Sequence, residues 1–591
     1  MRFVTTGPFL TGRTYLSTMA PATSEPLRSD TAVPHVAGRS APASSRIYGL
    51  LGLIVFLALL PRIYWMVKET PVISLEGSEY VRMAENLAHR HQLTGNFEGP
   101  ETMYTPLYSV LTAGVSLINR NAETAAHLVG LVFGTLLIIP IFLIARRMYG
   151  LHVAFLSAVL AASHPLLIAL CGSIYNENLY LPLLYGGIFF ALRALELDTT
   201  RDYVLLSLCL SFAYLTRPEA FAYPPFFAVL VWGNILLRRI SVGRAVQRSV
   251  LILGIFLLVA SPYVIYLYSH TGHLRLEGKW NINYTMAQRT LAGMSRGEAA
   301  YGLASDATVS GPLLDPFHFA AFTPYRHSTI DKLRTLSGMA ILNRKIVSQA
   351  LLDRSLGSPL VLALVPIGLF RKSWSRRRLF QEFTVICIAL SVLFLWVTSS
   401  SAEFRYIFPL VPLGIMWVSK GAEELGRWAR SLVWSLGRVG QSISQKTAPA
   451  VEAALLALCV AIAFHSTGTD WLFRSEQREN LDIKEASIWL RNFSPGPKRI
   501  ACIGSVPTYY AHGTLIGLPY ASSADALRYL ERKKVDFIVL DAQYGNDFPE
   551  VPDWNKNHIP DPRAHLIYEA GDDPTRKIEI YHWEKQKAGG Q

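Results

Sequence analysis

The sequence predicts a polytopic α-helical membrane protein with a small α/β domain at its C-terminal end. Of its 591 residues, 51% are hydrophobic and only 17% are charged, whereas an average soluble domain carries about 25% charged residues. The mean hydropathy is +0.26. Apolar runs close to the roughly 20 residues that cross a bilayer recur along the chain. We therefore expect about eleven transmembrane helices.

Eleven segments have the composition of a membrane span. They are residues 47–66, 122–145, 153–170, 179–195, 203–215, 220–237, 250–268, 359–370, 383–397, 406–418 and 451–464. A further apolar stretch, residues 106–118, is too short to span and is predicted to be interfacial or re-entrant.

The positions of lysine and arginine predict the orientation of these spans, because short cytoplasmic loops carry an excess of both residues. With the N-terminus inside, most basic residues between spans fall on the cytoplasmic side. They are Arg146, Arg147, Arg201, Arg238, Arg239, Arg244, Arg248, Arg371, Lys372, Arg376, Arg377, Arg378, Lys420, Arg427, Arg430, Arg438 and Lys446. The net charge of +13 is thus a topology signal, and its spread over several loops argues against a nucleic-acid partner.

This orientation divides the chain into three regions. Residues 1–45, rich in Ser, Thr, Pro and Ala, are predicted to be a disordered cytoplasmic tail. Residues 46–466 form the transmembrane region, with a first outer loop at 67–120 and a long outer loop at 269–358. Residues 467–591 form an extracytoplasmic domain. In a bacterium, the protein would lie in the inner (cytoplasmic) membrane.

The extracytoplasmic region has the pattern of a small α/β domain. "RIACIG" (499–504) and "VDFIVLD" (535–541) are short runs rich in branched residues, and "SADALRYLERKK" (523–534) between them has helical spacing. This alternation predicts at least one parallel strand pair. "AHLIYEAG" and "KIEIYHWE" are predicted to form a closing strand pair. No nucleophile elbow or phosphate loop is present, which favours a structural or recognition role.

The first outer loop opens with "SLEGSEYVRMAENLAHRH" (74–91), which has the spacing of an amphipathic helix with Ser74 as its N-cap. Glu76 falls on the apolar face with Tyr80, and Glu79 falls at the margin of that face. A carboxylate beside a bilayer is costly unless it is used. The alternative is that both acids only favour the helix N-terminus through its dipole.

Six motifs in the same order resemble the C-type glycosyltransferase superfamily, in particular the bacterial branch related to protein O-mannosyltransferases and lipid A aminoarabinose transferases. They are "EGSEYVRMAENL" (76–87), "YTPLYSVL" (104–111), "AAHLVGLVFGTLLIIPIFLIARRMYG" (125–150), "YNENLYLPLL" (175–184), "YLTRPEAF" (214–221) and "EFRYIFPLVPL" (403–413). The resemblance covers residues 47–420. The "WWDYG" signature of oligosaccharyltransferase catalytic subunits is absent.

The resemblance implies an enzyme that moves a sugar from a polyprenyl-phosphate carrier to a lipid, polysaccharide or protein acceptor at the outer face of the membrane. The first-loop acid of the family, usually Asp, maps onto Glu76, which is the candidate general base. Burial on an apolar face would raise the pKa of Glu76 and strengthen it as a base. The family's Pro-Pro-Leu-Tyr has Thr105 in place of its first proline.

A cation is needed where the sugar leaves its phosphate, and Arg217 and Arg405 fall at outer ends of spans. Arg217 either binds phosphate or pairs with Glu219, and Arg405 either binds phosphate or snorkels to the interface. Asn176 and Glu177 either contact the sugar or cap a helix. Tyr104 and Tyr108 either stack on substrate or belong to an aromatic belt. The candidate substrate-binding residues are Glu79, Tyr80, Tyr104, Tyr108, Asn176, Glu177, Arg217, Glu219, Arg405 and Tyr406.

No cofactor is predicted. A divalent metal is conceivable by resemblance, but the sequence contains no metal-ligand motif. The long outer loop, with "GMSRGEAAYGLASDATVSG" (293–311), is predicted to be a mobile lid. Two other functions fit the span count, a flippase or transporter of lipid-linked sugars and a non-catalytic subunit of envelope-polysaccharide assembly. Transporters usually contain internal repeats, and none is visible here.

Overall fold

The structure is a computed structural model. It describes residues 44–236, 240–303, 311–322, 328–353, 359–371, 374–434, 453–454, 457–459, 461, 481–545, 547–571 and 576–585. The predicted tail lies outside these residues up to position 43, and so does most of the eleventh predicted span. By compactness the chain divides into Met1–Tyr48 and Gly49–Gln591. The contacts described below all lie in the second unit.

Helices make up most of the chain before the C-terminal sheet. They are α1 (Ser44–Glu69), α2 (Leu75–Arg90), α3 (Leu107–Asn119), α4 (Ala122–Leu136), α5 (Ile138–Tyr149), α6 (Leu151–Ser163), α7 (Pro165–Gly172), α8 (Glu177–Leu197), α9 (Thr200–Thr216), α10 (Tyr223–Leu236), α11 (Val242–Thr271), α12 (Trp280–Leu291), α13 (Arg296–Tyr301), α14 (Pro316–Phe322), α15 (Thr329–Asp353), α16 (Pro359–Leu362), α17 (Leu364–Phe370), α18 (Arg376–Val397) and α19 (Val411–Trp434). Short 3-10 helices precede α10 (Pro218–Ala222) and α19 (Phe404–Ile407).

Within the described residues, five helices are long and apolar enough to cross a membrane, and α6 with α7 forms a sixth candidate bent by 52°. The five are Ser45–Glu69, Ala122–Tyr149, Glu177–Leu197, Val242–Thr271 and Arg376–Val397. The predicted spans at 203–215 and 220–237 are the shorter helices α9 and α10, and the one at 359–370 is broken into α16 and α17. The chain is membrane-embedded, and its predicted mostly helical fold class is confirmed. The short stretch predicted at 106–118 is the 13-residue helix α3.

A proline causes the bend between α6 and α7, and a buried arginine binds the backbone at the bend. Pro165 cannot continue a helix, and it holds His164 in an extended conformation with φ −69° and ψ 121°. The backbone carbonyls freed at the bend accept hydrogen bonds from the buried guanidinium of Arg62, at 3.1 Å from Ala161 O and 2.7 Å from Ala162 O. An arginine inside the bundle thus replaces the missing intrahelical bonds.

The long outer region is more ordered than a loop. The sequence predicts a mobile lid at 269–358, and the described part of this region contains α12, α13, α14 and the 25-residue α15. The helical pattern was hard to see because α15 is not cleanly amphipathic. Its exposed residues include both apolar side chains, such as Ile330 and Leu333, and basic ones, such as Arg344.

The C-terminal domain is a five-stranded mixed sheet with helices. Its elements are α20 (Leu481–Phe493), β1 (Arg499–Cys502), α21 (Val506–Tyr510), β2 (Thr514–Gly517), α22 (Ser523–Arg532), β3 (Phe537–Asp541), α23 (Ala542–Gly545), α24 (Val551–Asn557), β4 (Ala564–Ala570) and β5 (Ile578–Trp583). The strand order is β2-β1-β3-β5-β4. β1 pairs in parallel with β2 and β3, while β5 pairs antiparallel with β3 and β4. The parallel pair and the closing pair are as predicted.

This sheet packs directly on the first outer loop. One buried apolar cluster contains Val81 and Met83 of α2 together with Ile500 and Val506 of the C-terminal domain. Polar contacts reinforce it: the hydroxyls of Ser78 and Ser505 lie 2.7 Å apart, and the backbone NH of Leu515 donates to Asn96 O at 2.8 Å. The C-terminal domain therefore packs on one side of α2.

Candidate active site

The helix that carries Glu76 forms as the sequence predicts. The Ser74 side chain accepts a hydrogen bond from Gly77 N, which caps α2 at its N-terminus. His91 ends the helix in a left-handed conformation at φ 55°. Glu76 lies in the first turn, next to the positive end of the helix dipole. The cap thus defines the start of the helix, and the dipole favours the negative charge of Glu76 at that position.

Two cations from distant loops meet this carboxylate. The Arg405 guanidinium binds Glu76 with both terminal nitrogens, at 2.6 Å from Nη2 to Oε1 and in a second, shorter contact from Nη1 to Oε2. Lys279 Nζ lies 3.6 Å from Glu76 Oε1. The remaining Arg405 nitrogen, Nε, donates to Glu403 Oε2 at 2.7 Å. The Arg405 side chain is only 14% exposed, so these bonds are largely shielded from water.

The electrostatics of Glu76 differ from the expectation. Burial alone would raise its pKa, as predicted, but the charges of Arg405 and Lys279 outweigh burial and hold the pKa of this carboxyl well below its usual range. The predicted direction was wrong because the sequence does not show that two cations reach one carboxylate. In the geometry described here, Glu76 is a weak base.

Arg217 forms a second charged centre close by. It donates to Glu219 Oε1 at 2.5 Å and is bound more closely by Glu177. Its guanidinium carbon lies 5.8 Å from the Tyr406 ring centroid, and that of Arg405 lies 5.7 Å from the same ring. Tyr406 therefore sits between the two arginines. Of the two interpretations of Arg217, pairing with Glu219 is present in the structure.

The side chain of Asn176 makes no capping bond, which corrects one of its predicted alternatives. Its Nδ2 donates to the Tyr80 hydroxyl at 2.7 Å and to Thr216 O at 3.0 Å. These two bonds tie α2, through Tyr80, to the N-terminal end of α8 and the C-terminal end of α9. Asn176 and Tyr80 are both buried, so they fix the helix ends that carry the charged groups around Glu76 and Arg217.

The two tyrosines of the "YTPLY" motif have different surroundings. Tyr108 is fully buried, packs on Tyr80 with ring centroids 5.4 Å apart, and donates its hydroxyl to Ala126 O at 2.9 Å. These contacts place it in the core, away from any substrate, and correct its predicted role. Tyr104 is only partly buried and lies under Lys279, whose Nζ is 5.1 Å from its ring centroid. Tyr104 therefore contacts the charged cluster around Glu76 and stays a candidate substrate-binding residue.

Glu79 was predicted to lie at the margin of the apolar face of α2. The structure buries this side chain instead, with 1% of it exposed. Its Oε2 accepts a hydrogen bond from Asn96 N at 2.8 Å. It faces a second buried acid, Glu101, whose Oε1 accepts from Met103 N at 2.6 Å. Within the described residues, no group of three Asp, Glu, His or Cys side chains is arranged to hold a metal ion. Two carboxylates alone do not make a metal site.

Lys279 was not among the site residues predicted from the sequence. A Cβ at position 278 would collide with Thr102 O, so Gly278 is what lets this segment approach the first outer loop. Glu277 then caps α12 by accepting bonds from Lys279 N at 2.9 Å and Trp280 N at 3.0 Å. The only signal in the sequence was this acid at the start of a helix, which places α12 but not the lysine side chain.

Part of the chain is similar in sequence to a known protein family. Residues 103–266 match the family model described as dolichyl-phosphate-mannose-protein mannosyltransferase. This segment runs from the end of the first outer loop through α11 and includes Arg217. No curated protein matches the sequence significantly.

Solved structures extend the match to nearly the whole chain. ArnT from Cupriavidus metallidurans, in the apo state, superposes with a TM-score of 0.54 at 14% identity, covering 91% of this chain and 98% of that one. The chain has the C-type glycosyltransferase fold. The Archaeoglobus fulgidus oligosaccharyltransferase, in the apo form, matches this C-type fold with a TM-score of 0.53 at 13% identity, covering 93% and 75% of the two chains. The predicted resemblance is confirmed, because the matched family model and the matched solved structures are all of glycosyltransferases.

Proposed function

We propose that this C-type glycosyltransferase transfers a sugar from a polyprenyl-phosphate carrier to an acceptor hydroxyl at the extracytoplasmic face, with Glu76 as general base. The observation that carries the proposal is the convergence of three outer segments on one carboxylate. Glu76 comes from the first loop, Lys279 from the long outer region, and Arg405 from the segment before α19.

The reaction needs these groups. The acceptor oxygen attacks the anomeric carbon as the bond from that carbon to the phosphate oxygen breaks, and the electron pair stays on the phosphate. Glu76 takes the acceptor proton, a role worth roughly 10²–10⁴-fold in typical enzymes. Arg405, with a planar fork suited to phosphate oxygens, stabilises the leaving phosphate, assisted by Lys279.

The class of donor is supported by the comparisons. The matched family is named for dolichyl-phosphate-mannose. A second ArnT structure, with a TM-score of 0.50 at 14% identity, is bound to undecaprenyl phosphate. An AglB structure from Archaeoglobus fulgidus, with a TM-score of 0.52 at 12% identity, holds an inhibitory peptide and a dolichol-phosphate. A lipid-linked phosphate donor fits a site whose cations lie at the outer ends of membrane helices.

The orientation is supported by the opposite ends of the same helices. Arg147 at the end of α5 and Arg377 at the start of α18 both bind Glu196. Arg248 in α11 binds Asp198. Arginine is thus concentrated at the ends away from Glu76, as expected for a cytoplasmic side. In a bacterial cell, Glu76 would therefore face away from the cytoplasm at the inner membrane.

The test is turnover by purified Glu76→Gln protein. We expect a loss of about 10²–10⁴-fold in transfer, measured as glycosylated acceptor formed, because the amide cannot take a proton. The lipid-linked sugar that accumulates in a deletion strain, identified by mass spectrometry, supplies the donor. Glu85→Gln is the matched control, since it removes one carboxylate from the same helix far from Arg405 and should keep its activity. Parental turnover by Glu76→Gln would disprove the role of Glu76.

A further inference from the structure

The cations at the site are already neutralised by protein carboxylates. All three nitrogens of the Arg405 guanidinium donate to carboxylate oxygens, two to Glu76 and one to Glu403. The ammonium of Lys279 lies beside the same Glu76 carboxylate. A phosphate that binds to Arg405 and Lys279 therefore has to compete with Glu76 for them.

The same contacts keep Glu76 from acting as a base. A carboxylate shared by a guanidinium and an ammonium has both oxygens engaged and holds its negative charge firmly. Taking a proton would break a bidentate ion pair that is shielded from water. Base and phosphate-binding cations thus inhibit one another in this arrangement.

We propose that the phosphate of the polyprenyl carrier replaces the Glu76 carboxylate on Arg405 and Lys279, so that donor binding itself releases the general base. This inference rests on the proposed function and adds its regulation. Without a donor, Glu76 is held in ion pairs and cannot deprotonate an acceptor. With a donor, the phosphate takes over both cations, and Glu76 is free to turn to the acceptor hydroxyl.

Arg405 and Lys279 are the exchangeable cations, whereas Arg217 is not. Arg217 is bound by Glu177, which is 1% exposed, and by Glu219. Releasing it would leave a buried acid unpaired, which is costly. Glu76 and Lys279 are 17% and 28% exposed, so a displaced Glu76 can still be solvated. Arg217 thus remains a fixed charge beside Tyr406.

The exchange also provides for product release. The donor is a phosphodiester with one negative charge, and the product is a phosphomonoester that can carry two, so the cations bind the product more strongly. Glu76 is then neutral, because it holds the acceptor proton. When it loses this proton to water, its carboxylate regains the charge needed to return to Arg405 and displace the product.

Equilibrium binding of undecaprenyl phosphate to purified protein tests the exchange. Glu76→Gln removes the competing charge and keeps the shape, so we expect it to bind undecaprenyl phosphate about tenfold more tightly than the parent, a change of about 1.4 kcal/mol. Lys279→Met should bind it more weakly than the parent. Undecaprenol, which has no phosphate, should bind parent and variants equally. Inorganic phosphate should show the same order as the lipid if the cations recognise the phosphate alone.

The matched control is again Glu85→Gln, which should bind undecaprenyl phosphate like the parent. Equal or weaker binding by Glu76→Gln would overturn the exchange, and so would tighter binding of undecaprenol, which would locate the effect in the lipid chain. These results are independent of the turnover test. If Glu76→Gln loses turnover without binding phosphate more tightly, the exchange fails and the general base stands. If it binds more tightly and keeps turnover, the base assignment fails.

Discussion

At Gly95 the backbone of the first outer loop passes beside two buried acids. A Cβ at this position would lie 2.5 Å from Glu79 Oε2 and 2.8 Å from Glu101 Oε2, so only glycine fits and the two oxygens border the same small space. Burial raises the pKa of Glu101 to about 8, and the neighbouring charge of Glu79 adds to the effect. At neutral pH, Glu101 is thus mostly protonated.

This acid makes stability depend on pH. The pKa of Glu101 is about 8 in the folded protein against an ordinary value of 4.5, so unfolding releases a proton between these pH values and stability falls as the pH rises through them. Glu101→Gln copies the protonated acid at every pH. We expect the Tm of this variant, measured in detergent, to fall less than that of the parent from about pH 5 to about pH 8.

The control for this measurement is Glu98→Gln, which changes a half-exposed acid of the same loop. It should retain the parental slope of Tm against pH. If the Glu101→Gln variant shows that slope as well, Glu101 is ionised in the folded protein throughout this range, and the sharing of one small space by two acids has no consequence for stability.

Residue-level prediction was possible where one helix face carries the signal. Glu76 was identified because an acid on the apolar face of α2 needs a reason. Glu79 was placed at the margin because a helical periodicity assumes one solvent face, whereas α2 is covered on its other side by the segment around Asn96 and by the C-terminal domain. Lys279 and Glu101 lie in segments without periodicity, and only tertiary contacts give them meaning.

At the scale of elements, one arginine of α2 makes several polar contacts with the short helix α21 and its surroundings. Arg82 donates to the backbone oxygens of Thr508 at 3.1 Å and Tyr509 at 3.0 Å, and to Asn96 Oδ1 at 3.1 Å. The two carbonyls belong to the C-terminal end of α21, where a positive charge also complements the helix dipole. Arg82 thus joins the helix that carries Glu76 to the C-terminal domain.

Replacing this arginine tests whether the joint matters. Arg82→Met keeps the apolar stem but removes the charged donor from both carbonyls, which retain their backbone bonds from Gly513 N and His512 N. A hydrogen bond to a charged group contributes about 1.5–3 kcal/mol. We expect a lower Tm and faster proteolysis of the C-terminal domain. Arg90→Met, an exposed arginine of the same helix, should change neither. An Arg82→Met protein as resistant to protease as the parent would show that apolar packing alone holds the two elements together.

The elements that could be predicted are those with one dominant signal. Branched apolar runs gave β1 and β3, and the two runs near the C-terminus gave β4 and β5. β2 (Thr514–Gly517) was missed because its four residues are too few for a periodic pattern. The bend at Pro165 was legible in principle, since a proline ends or kinks a helix, but its compensation by Arg62 depends on a contact about 100 residues away in sequence.

At the scale of the whole molecule, the loops that carry Glu76, Lys279 and Arg405 lie at one end of the helix bundle, and this end is proposed to face outward. Fusions to a reporter enzyme that is active only outside the cytoplasm test the orientation. Fusions at Ala300 and Gln543 should be active, and a fusion at Arg376 should be silent, because the intervening helices reverse the direction of the chain. An active fusion at Arg376 together with a silent one at Ala300 would invert the assignment.

The contact between Ser78 and Ser505 joins residues 427 positions apart. A ribosome finishes the first of these residues long before the second, and domains fold as they emerge. The helix that carries Glu76 therefore lacks the surface on which it packs until the last fifth of the polypeptide has been made. A chain that stops early has its transmembrane helices but an unsupported α2. The proposed site thus gains its full packing only after most of the chain has been made.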